Sequence, residues 1–255
     1  MLRGIATALL ALTATTASAQ ELTIAAASDL QAVFPALADR FERETGRRVL
    51  VTFGSSGNFF SQIQNGAPFD LFFSADIDYP RRLDGAGLGE AGSLREYATG
   101  RLVVWARRDS GVDVRQGLRA LSGSNVRRVA IANPEHAPYG RAAVAALQHE
   151  RLYDSVRGKL VLGENIAQAA QFVASGNAQA GIIALSLALS PGLKDQGSYA
   201  DIPEAFHPPL QQAAIIVRAS RNKDAARQFM AFLGRPATIA LLEASGFRVA
   251  SRSPR

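Results

Sequence analysis

Leu22-Thr23-Ile24-Ala25-Ala26-Ala27-Ser28-Asp29-Leu30 carries the decision about the fold. Six mostly apolar residues read as a short buried strand. Ser28-Asp29 break the run, and Leu30, Val33, Phe34, Leu37 and Phe41 then recur at helical spacing. Strand, polar cap and amphipathic helix follow one another with no spacer, the signature of a βα unit. Thr45-Gly46 stops the helix and Val49 to Phe53 begins a second strand. The turn Gly54-Ser55-Ser56-Gly57-Asn58 then leads into a helix bearing Phe59, Phe60 and Ile63 that ends at Asn65-Gly66. Phe69 to Phe73 reads as a strand covered on both faces.

The alternation continues downstream. Strands are expected at Leu102–Ala106, Val129–Ala132, Lys159–Leu162, Ala180–Leu185 and Gln211–Val217. Helices are expected from Arg141 to Glu150, after Asn165, and over Lys223–Leu233 and Pro236–Ala244. Such alternation implies α/β architecture with parallel sheets. Polar turns recur at the carboxyl ends of strands, where open sheets of this kind place ligands. An apolar strand returning after the proline-rich Ile202–Pro209 stretch favours two lobes with a cleft between them. The expected division is residues 20–101 with 215–255 as lobe I and 102–214 as lobe II, with crossovers near 99–106 and 211–217.

Upstream of the first strand, Met1-Leu2-Arg3, an apolar stretch from Ile5 to Leu12 and Ala17-Ser18-Ala19 have the three-part form of a secretory signal over residues 1–19. Cleavage after Ala19 leaves Gln20 first, so a free periplasmic protein rather than a lipid-anchored one is expected. The chain has no cysteine, so no disulfide supports it in an oxidising compartment. Its formal charge of +6 comes mainly from scattered arginines. No basic track with interleaved aromatics appears, which argues against a nucleic-acid partner. A mildly positive field favours small anions.

Catalytic chemistry finds little support. His136, His149 and His207 have no metal-ligand spacing, and Gly54-Ser55-Ser56-Gly57 lacks the G-x-S-x-G form of a nucleophile elbow. The reading is therefore not an enzyme, with no cofactor; a secreted α/β hydrolase is the weaker alternative. Ser28 and Ser56 both lie between a strand and a helix. Backbone N–H groups there lack intrahelical partners and the helix end is partly positive. Each serine has an ordinary reading as an N-cap, but two facing turns of this kind make an oxyanion cradle without lysine or arginine.

Four segments then point further. Ala25-Ala26-Ala27-Ser28-Asp29-Leu30, Phe53-Gly54-Ser55-Ser56-Gly57, Gly66-Ala67-Pro68-Phe69-Asp70-Leu71-Phe72-Phe73-Ser74-Ala75-Asp76 and Asn133-Pro134-Glu135-His136-Ala137-Pro138-Tyr139-Gly140 closely resemble, in order, the periplasmic molybdate-binding proteins of ABC importers. The resemblance implies a periplasmic-binding-protein-like fold whose two α/β lobes hold a molybdate or tungstate dianion by neutral donors, with no direct protein–metal bond. It also implies delivery to an inner-membrane ABC permease, by a protein expected to be a monomer. Carried over by position, Ser28 and Ser56 would each give a hydroxyl and a backbone N–H, with Ser55 as neighbour and alternate and Asp29 as a second neighbour of the site. Tyr139 and Ile166 would give backbone N–H groups from the other lobe.

One position departs from the family pattern. Many relatives carry a tyrosine where this chain has Ala184, and its phenol reaches the anion. The Tyr139 hydroxyl is the expected substitute. Asp29 is expected to cap its own helix or face solvent, since a carboxylate beside a dianion is repelled. A donor-only pocket discriminates against hydrogenphosphate, whose proton needs an acceptor. Sulfate is the alternative cargo. Iron is disfavoured because Tyr79, Tyr97, Tyr139, Tyr153 and Tyr199 are dispersed.

Overall fold

The computed structural model describes residues 21–249; the secretory signal expected over residues 1–19 lies outside them. Among the described residues, ten strands form two five-stranded sheets. The strands are β1 (Leu22–Ala27), β2 (Val49–Gly54), β3 (Leu71–Ser74), β4 (Arg95–Gly100), β5 (Leu102–Arg107), β6 (Val129–Ala132), β7 (Leu160–Gly163), β8 (Ala180–Ala184), β9 (Gly197–Asp201) and β10 (Leu210–Ile216). The helices are α1 (Phe34–Thr45), α2 (Ser56–Gln64), α3 (Asp78–Gly85), α4 (Pro138–His149), α5 (Tyr153–Val156), α6 (Ile166–Ala174), α7 (Leu185–Ala188), α8 (Lys223–Phe232) and α9 (Pro236–Ala244).

The first sheet runs β2-β1-β3-β10-β4 and the second β7-β6-β8-β5-β9. Each is the centre of one α/β lobe. Both sheets are mixed, which corrects the expectation of parallel sheets. β10 is antiparallel to β3 and β4, and β5 is antiparallel to β8 and β9. The reversed strands are those next to the passages between lobes. Arg101 alone separates β4 from β5, so the first passage is one residue long. β10 pairs only within the first sheet. The second passage therefore lies in residues 202–209, ahead of the 211–217 stretch expected to carry it.

Burial explains why each lobe holds its shape. Phe34, Leu37 and Phe41 line the buried side of α1, and Gly46 ends that helix with a left-handed φ of 70° that a side chain would disfavour. Phe34 stacks on Phe229 of α8 at 5.7 Å and meets Phe73 of β3 edge-on at 5.2 Å. Each fully buried ring contributes roughly 1.5–3 kcal/mol through area removed from water. The second lobe packs Trp105, Val129, Ile131, Ile182 and Ile183 around its sheet.

Candidate functional site

Strand register brings the predicted residues together. In the first lobe β1 and β2 are parallel with Ala27 opposite Gly54, so Ser28 and Ser55 leave the sheet side by side. In the second, β6 and β7 are parallel with Ala132 opposite Gly163, so the loop from Asn133 and the turn at Glu164-Asn165 emerge together. Each lobe thus presents two strand ends to the other. Ser28, Asp29, Ser55, Ser56, Tyr139 and Ile166 all contribute to one small cavity between them. The centre of a water-sized sphere can move over about 10 Å³ inside it. Outside it the cleft widens into a groove of about 700 Å³ that shares Ser28 and Asn165 with the cavity.

The helices aimed at this cavity begin as capping rules require. Ser55 is the N-cap of α2, its Oγ accepting from Asn58 N at 3.4 Å. Asn165 caps α6 by accepting from Gln168 N at 3.0 Å. Ser56 and Ile166 are the first residues of α2 and α6, and Tyr139 is the second of α4. Amides at those positions have no intrahelical partner and carry the positive end of the helix dipole. α4 starts at Pro138, earlier than the expected Arg141, because proline at the first helical position loses no hydrogen bond. Ser28 opens a short 3-10 turn, Ser28–Ala32, and makes no cap of its own.

The serine hydroxyls are polarised by their partners. Ser56 Oγ accepts from Ala75 N at 3.0 Å, and Ser28 Oγ accepts from Ala167 N of the opposite lobe at 3.3 Å. Each oxygen is engaged as an acceptor, and each hydroxyl proton remains to be donated. Ser56 is 1% exposed and Ser28 3%, so neither proton is offered to bulk water. Ser55 differs, because its Oγ lies 2.9 Å from His136 Nδ1 across the cleft.

The Asp29 side chain and the Tyr139 hydroxyl are not where sequence reasoning put them. Asp29 is fully buried and neither caps a helix nor faces solvent. Its Oδ2 accepts from the Tyr139 hydroxyl at 3.0 Å and from Gln212 Nε2. Gln212 Nε2 also lies 3.2 Å from the Tyr139 oxygen, and Tyr97 donates to Gln212 Oε1 at 2.6 Å. The single proton of Tyr139 is engaged by the carboxyl, so that phenol is not the free substitute for the one absent at Ala184. Burial pushes the Asp29 carboxyl up to about 6, against the pull of the Gln212 and Tyr139 hydrogen bonds. Burial, with the Asp29 charge behind it, also raises Tyr139 well above the ordinary phenol range.

Sequence reasoning missed Gln212, His136 and Ser186. Ser186 donates to the Asp29 backbone carbonyl at 2.7 Å, from α7 of the second lobe. The signal for Gln212 was the pair Gln211-Gln212 near the head of an apolar strand, of which the structure exposes the first and buries the second. Further contacts close the cleft: Gly57 N to His136 O at 2.9 Å, Arg141 to Asp76 at 2.6 Å and to Tyr79 at 3.2 Å, and Asn58 Nδ2 to Glu164. Among the described residues no group of three or more histidine or acidic side chains is placed to hold a metal ion, and no helix is long and apolar enough to cross a membrane.

Comparison with known proteins gives a consistent result. The family described as bacterial extracellular solute-binding protein matches residues 22–248. The molybdate-binding protein ModA of Azotobacter vinelandii is 39% identical over 236 residues, 92% of this chain and 93% of the relative. ModA of Rhodobacter capsulatus is 34% identical over 231 residues, covering 91% and 89%. Among solved structures, the periplasmic molybdate-binding protein of Azotobacter vinelandii superposes with a TM-score of 0.85 at 35% identity, over 90% of this chain and 100% of that one.

Proposed function

From the premise that this chain belongs to the bacterial extracellular solute-binding proteins, in the group that contains the molybdate-binding proteins, we propose that it captures molybdate, and tungstate with it, in the periplasm and delivers it to an ABC permease. The observation that carries the reading is the polarity of the cavity. Ser28 and Ser56 have their oxygens occupied by backbone N–H groups and their protons left to donate. The amides of Ser56, Tyr139 and Ile166 add first-turn N–H groups from three helices. A dianion with four acceptor oxygens and no proton matches such a set, whereas a cation or a neutral sugar does not.

The mechanism needs no bond to be made or broken. The open protein takes the anion on one lobe, and closure brings donors from the other lobe onto it. Because only the closed form offers both sets at once, the anion shifts the population toward closure by its differential affinity. In the cavity the donors are already oriented, so little reorganisation opposes binding. Release follows when the permease separates the lobes.

Calorimetric titration of the mature, ligand-stripped protein with molybdate, tungstate and sulfate tests the reading. One-to-one binding of molybdate and tungstate with negligible heat from sulfate is the expected result. A preference for sulfate, or no binding of either heavy oxyanion, would overturn it.

A further inference from the structure

We propose that Asp29 is itself a ligand-contacting residue: it meets the oxyanion as a carboxylic acid, donating a proton from Oδ1, so that loading takes up one proton from solvent. This rests on the oxyanion reading above and goes beyond it, because it makes affinity proton-linked and assigns a donor that the serines and amides do not supply.

The two carboxyl oxygens of Asp29 are in different situations. Oδ2 receives two hydrogen bonds, from the Tyr139 hydroxyl and from Gln212 Nε2. Oδ1 is buried and has no hydrogen-bond partner, on a residue that lines the cavity. An unpartnered buried oxygen is costly, and a native structure keeps one where something else completes it. A proton placed on this carboxyl belongs on Oδ1, since Oδ2 already accepts two donors. The resulting O–H finds its acceptor in an anion oxygen, in a cavity whose other polar groups are donors. An ionised Asp29 would instead set a negative charge beside a dianion in a site closed to water.

The surroundings favour the neutral acid. Tyr139 of α4 and Gln212 of β10 face the carboxyl, Tyr97 of β4 stands behind Gln212, and Ser186 of α7 bonds the backbone carbonyl. No cation is among the groups that shift the carboxyl, and burial raises it to about 6 before any anion arrives, against the lowering pull of Gln212, Tyr139 and the Asp29 and Leu30 amides. A bound dianion raises it further. His136 and Glu164 are the ionisable side chains at the cavity's rim, His136 lying 2.9 Å from Ser55 Oγ and 3.6 Å from Glu164, and the test must separate them from Asp29.

Molybdate titrations from pH 6 to pH 8.5, in buffers of different ionisation enthalpy, count the protons taken up. Infrared difference spectra of the free and loaded protein report the carboxylic C=O stretch. The expected result is uptake approaching one proton at pH 8, an affinity falling about tenfold per pH unit above the free carboxyl's titration, and a new carbonyl band on loading. In Asp29→Asn, whose amide donates without a titrating proton, uptake and band disappear and the profile flattens. Tyr139→Phe removes a donor to the ionised form, so the break in the profile moves to higher pH; it serves where Asp29→Asn does not fold. Tight binding with no proton uptake and no carbonyl band overturns the inference. So does a pH slope that survives in Asp29→Asn, which would place the proton elsewhere, with His136 the nearest alternative. Failure of molybdate to bind at any pH overturns the oxyanion reading, and this inference with it.

Discussion

At the scale of single residues, the two serines that follow the strands do unequal work. Ser56 Oγ supports Ala75 N within its own lobe, while Ser28 Oγ reaches Ala167 N of the other. We expect Ser56→Ala to weaken molybdate binding by about 1.5–3 kcal/mol, roughly 10- to 100-fold in Kd, the range for a hydrogen bond to a charged group. It should also lower stability, because Ala75 N loses a buried acceptor. Paired calorimetry and urea unfolding separate the two effects. Asp29 gives a second expectation, independent of any ligand. Its carboxyl lies near 6 in the folded protein against an ordinary value of 3.8. Between those values the native state keeps a proton that the unfolded chain has released, so stability falls as pH rises through the window and stays low above it. Asp29→Asn removes this penalty. Relative to the parent, the ligand-free variant should gain stability by as much as about 3 kcal/mol at pH 8, at about 1.4 kcal/mol per pKa unit, and lose the gain below about pH 4. A variant equally destabilised at both pH values would contradict it. The roles of Ser28 and Ser56 could be framed from sequence because a polar residue between an apolar strand and a helix has few structural readings. The burial of Asp29 could not, because its partners Tyr139 and Gln212 lie 110 and 183 residues away.

At the scale of elements, the approach of α2 to the loop after β6 is as close as a backbone allows. A Cβ on Gly57 would sit 2.6 Å from His136 O and 2.8 Å from the Tyr79 hydroxyl, distances that require something to shift. Gly57 also donates its N–H to that same carbonyl. The backbone clash, with His136 O, lies across the cleft, while the one with Tyr79 is against the far end of a side chain in the same lobe. Glycine here is therefore a requirement of closure more than of folding. We expect Gly57→Ala to fold and unfold like the parent, yet to bind molybdate at least about tenfold more weakly. Small-angle scattering should show its radius of gyration shrinking less on loading. A variant that closes and binds as the parent does would show that the lobes tolerate a wider gap. Most strands and helices were legible because apolar runs and helical periodicity survive in the sequence: Val129–Ala132 and Pro236–Ala244 fall where periodicity put them. Strand direction was not, since an apolar run buried on both faces looks the same either way along the sheet. β9 and β4 escaped because Gly197–Asp201 and Arg95–Gly100 are largely polar edge strands. Helix α3 begins Asp78-Tyr79-Pro80, which reads locally as a turn.

At the scale of the whole molecule, two passages join the lobes, one of a single residue and one in residues 202–209. Such a pair permits hinge closure and little else. Asp29 stands at the centre of this arrangement, touching Gln212 beside the second passage and Tyr139 of the opposite lobe. The contacts that hold the cleft shut lie on its rim, and their exposure sets their worth. Asn58 with Glu164 is exposed and exchanges protein partners for water at small net gain. Arg141 is better placed: it bonds Asp76 at 2.6 Å and Tyr79 at 3.2 Å, both in the first lobe, with its side chain 40% exposed. None of these groups lines the cavity between the lobes, so their effect is on how long the lobes stay together. We expect Arg141→Ala to leave the association rate of molybdate within about twofold and to raise the dissociation rate about three- to tenfold, as for a half-exposed ion pair joined to a phenol hydrogen bond. The rate change should shrink in high salt, which weakens the same pair in the parent. Stopped-flow displacement of bound molybdate by excess tungstate reads the dissociation rate directly. A slower association rate with unchanged dissociation would instead assign Arg141 to electrostatic capture of the anion, acting before the lobes close.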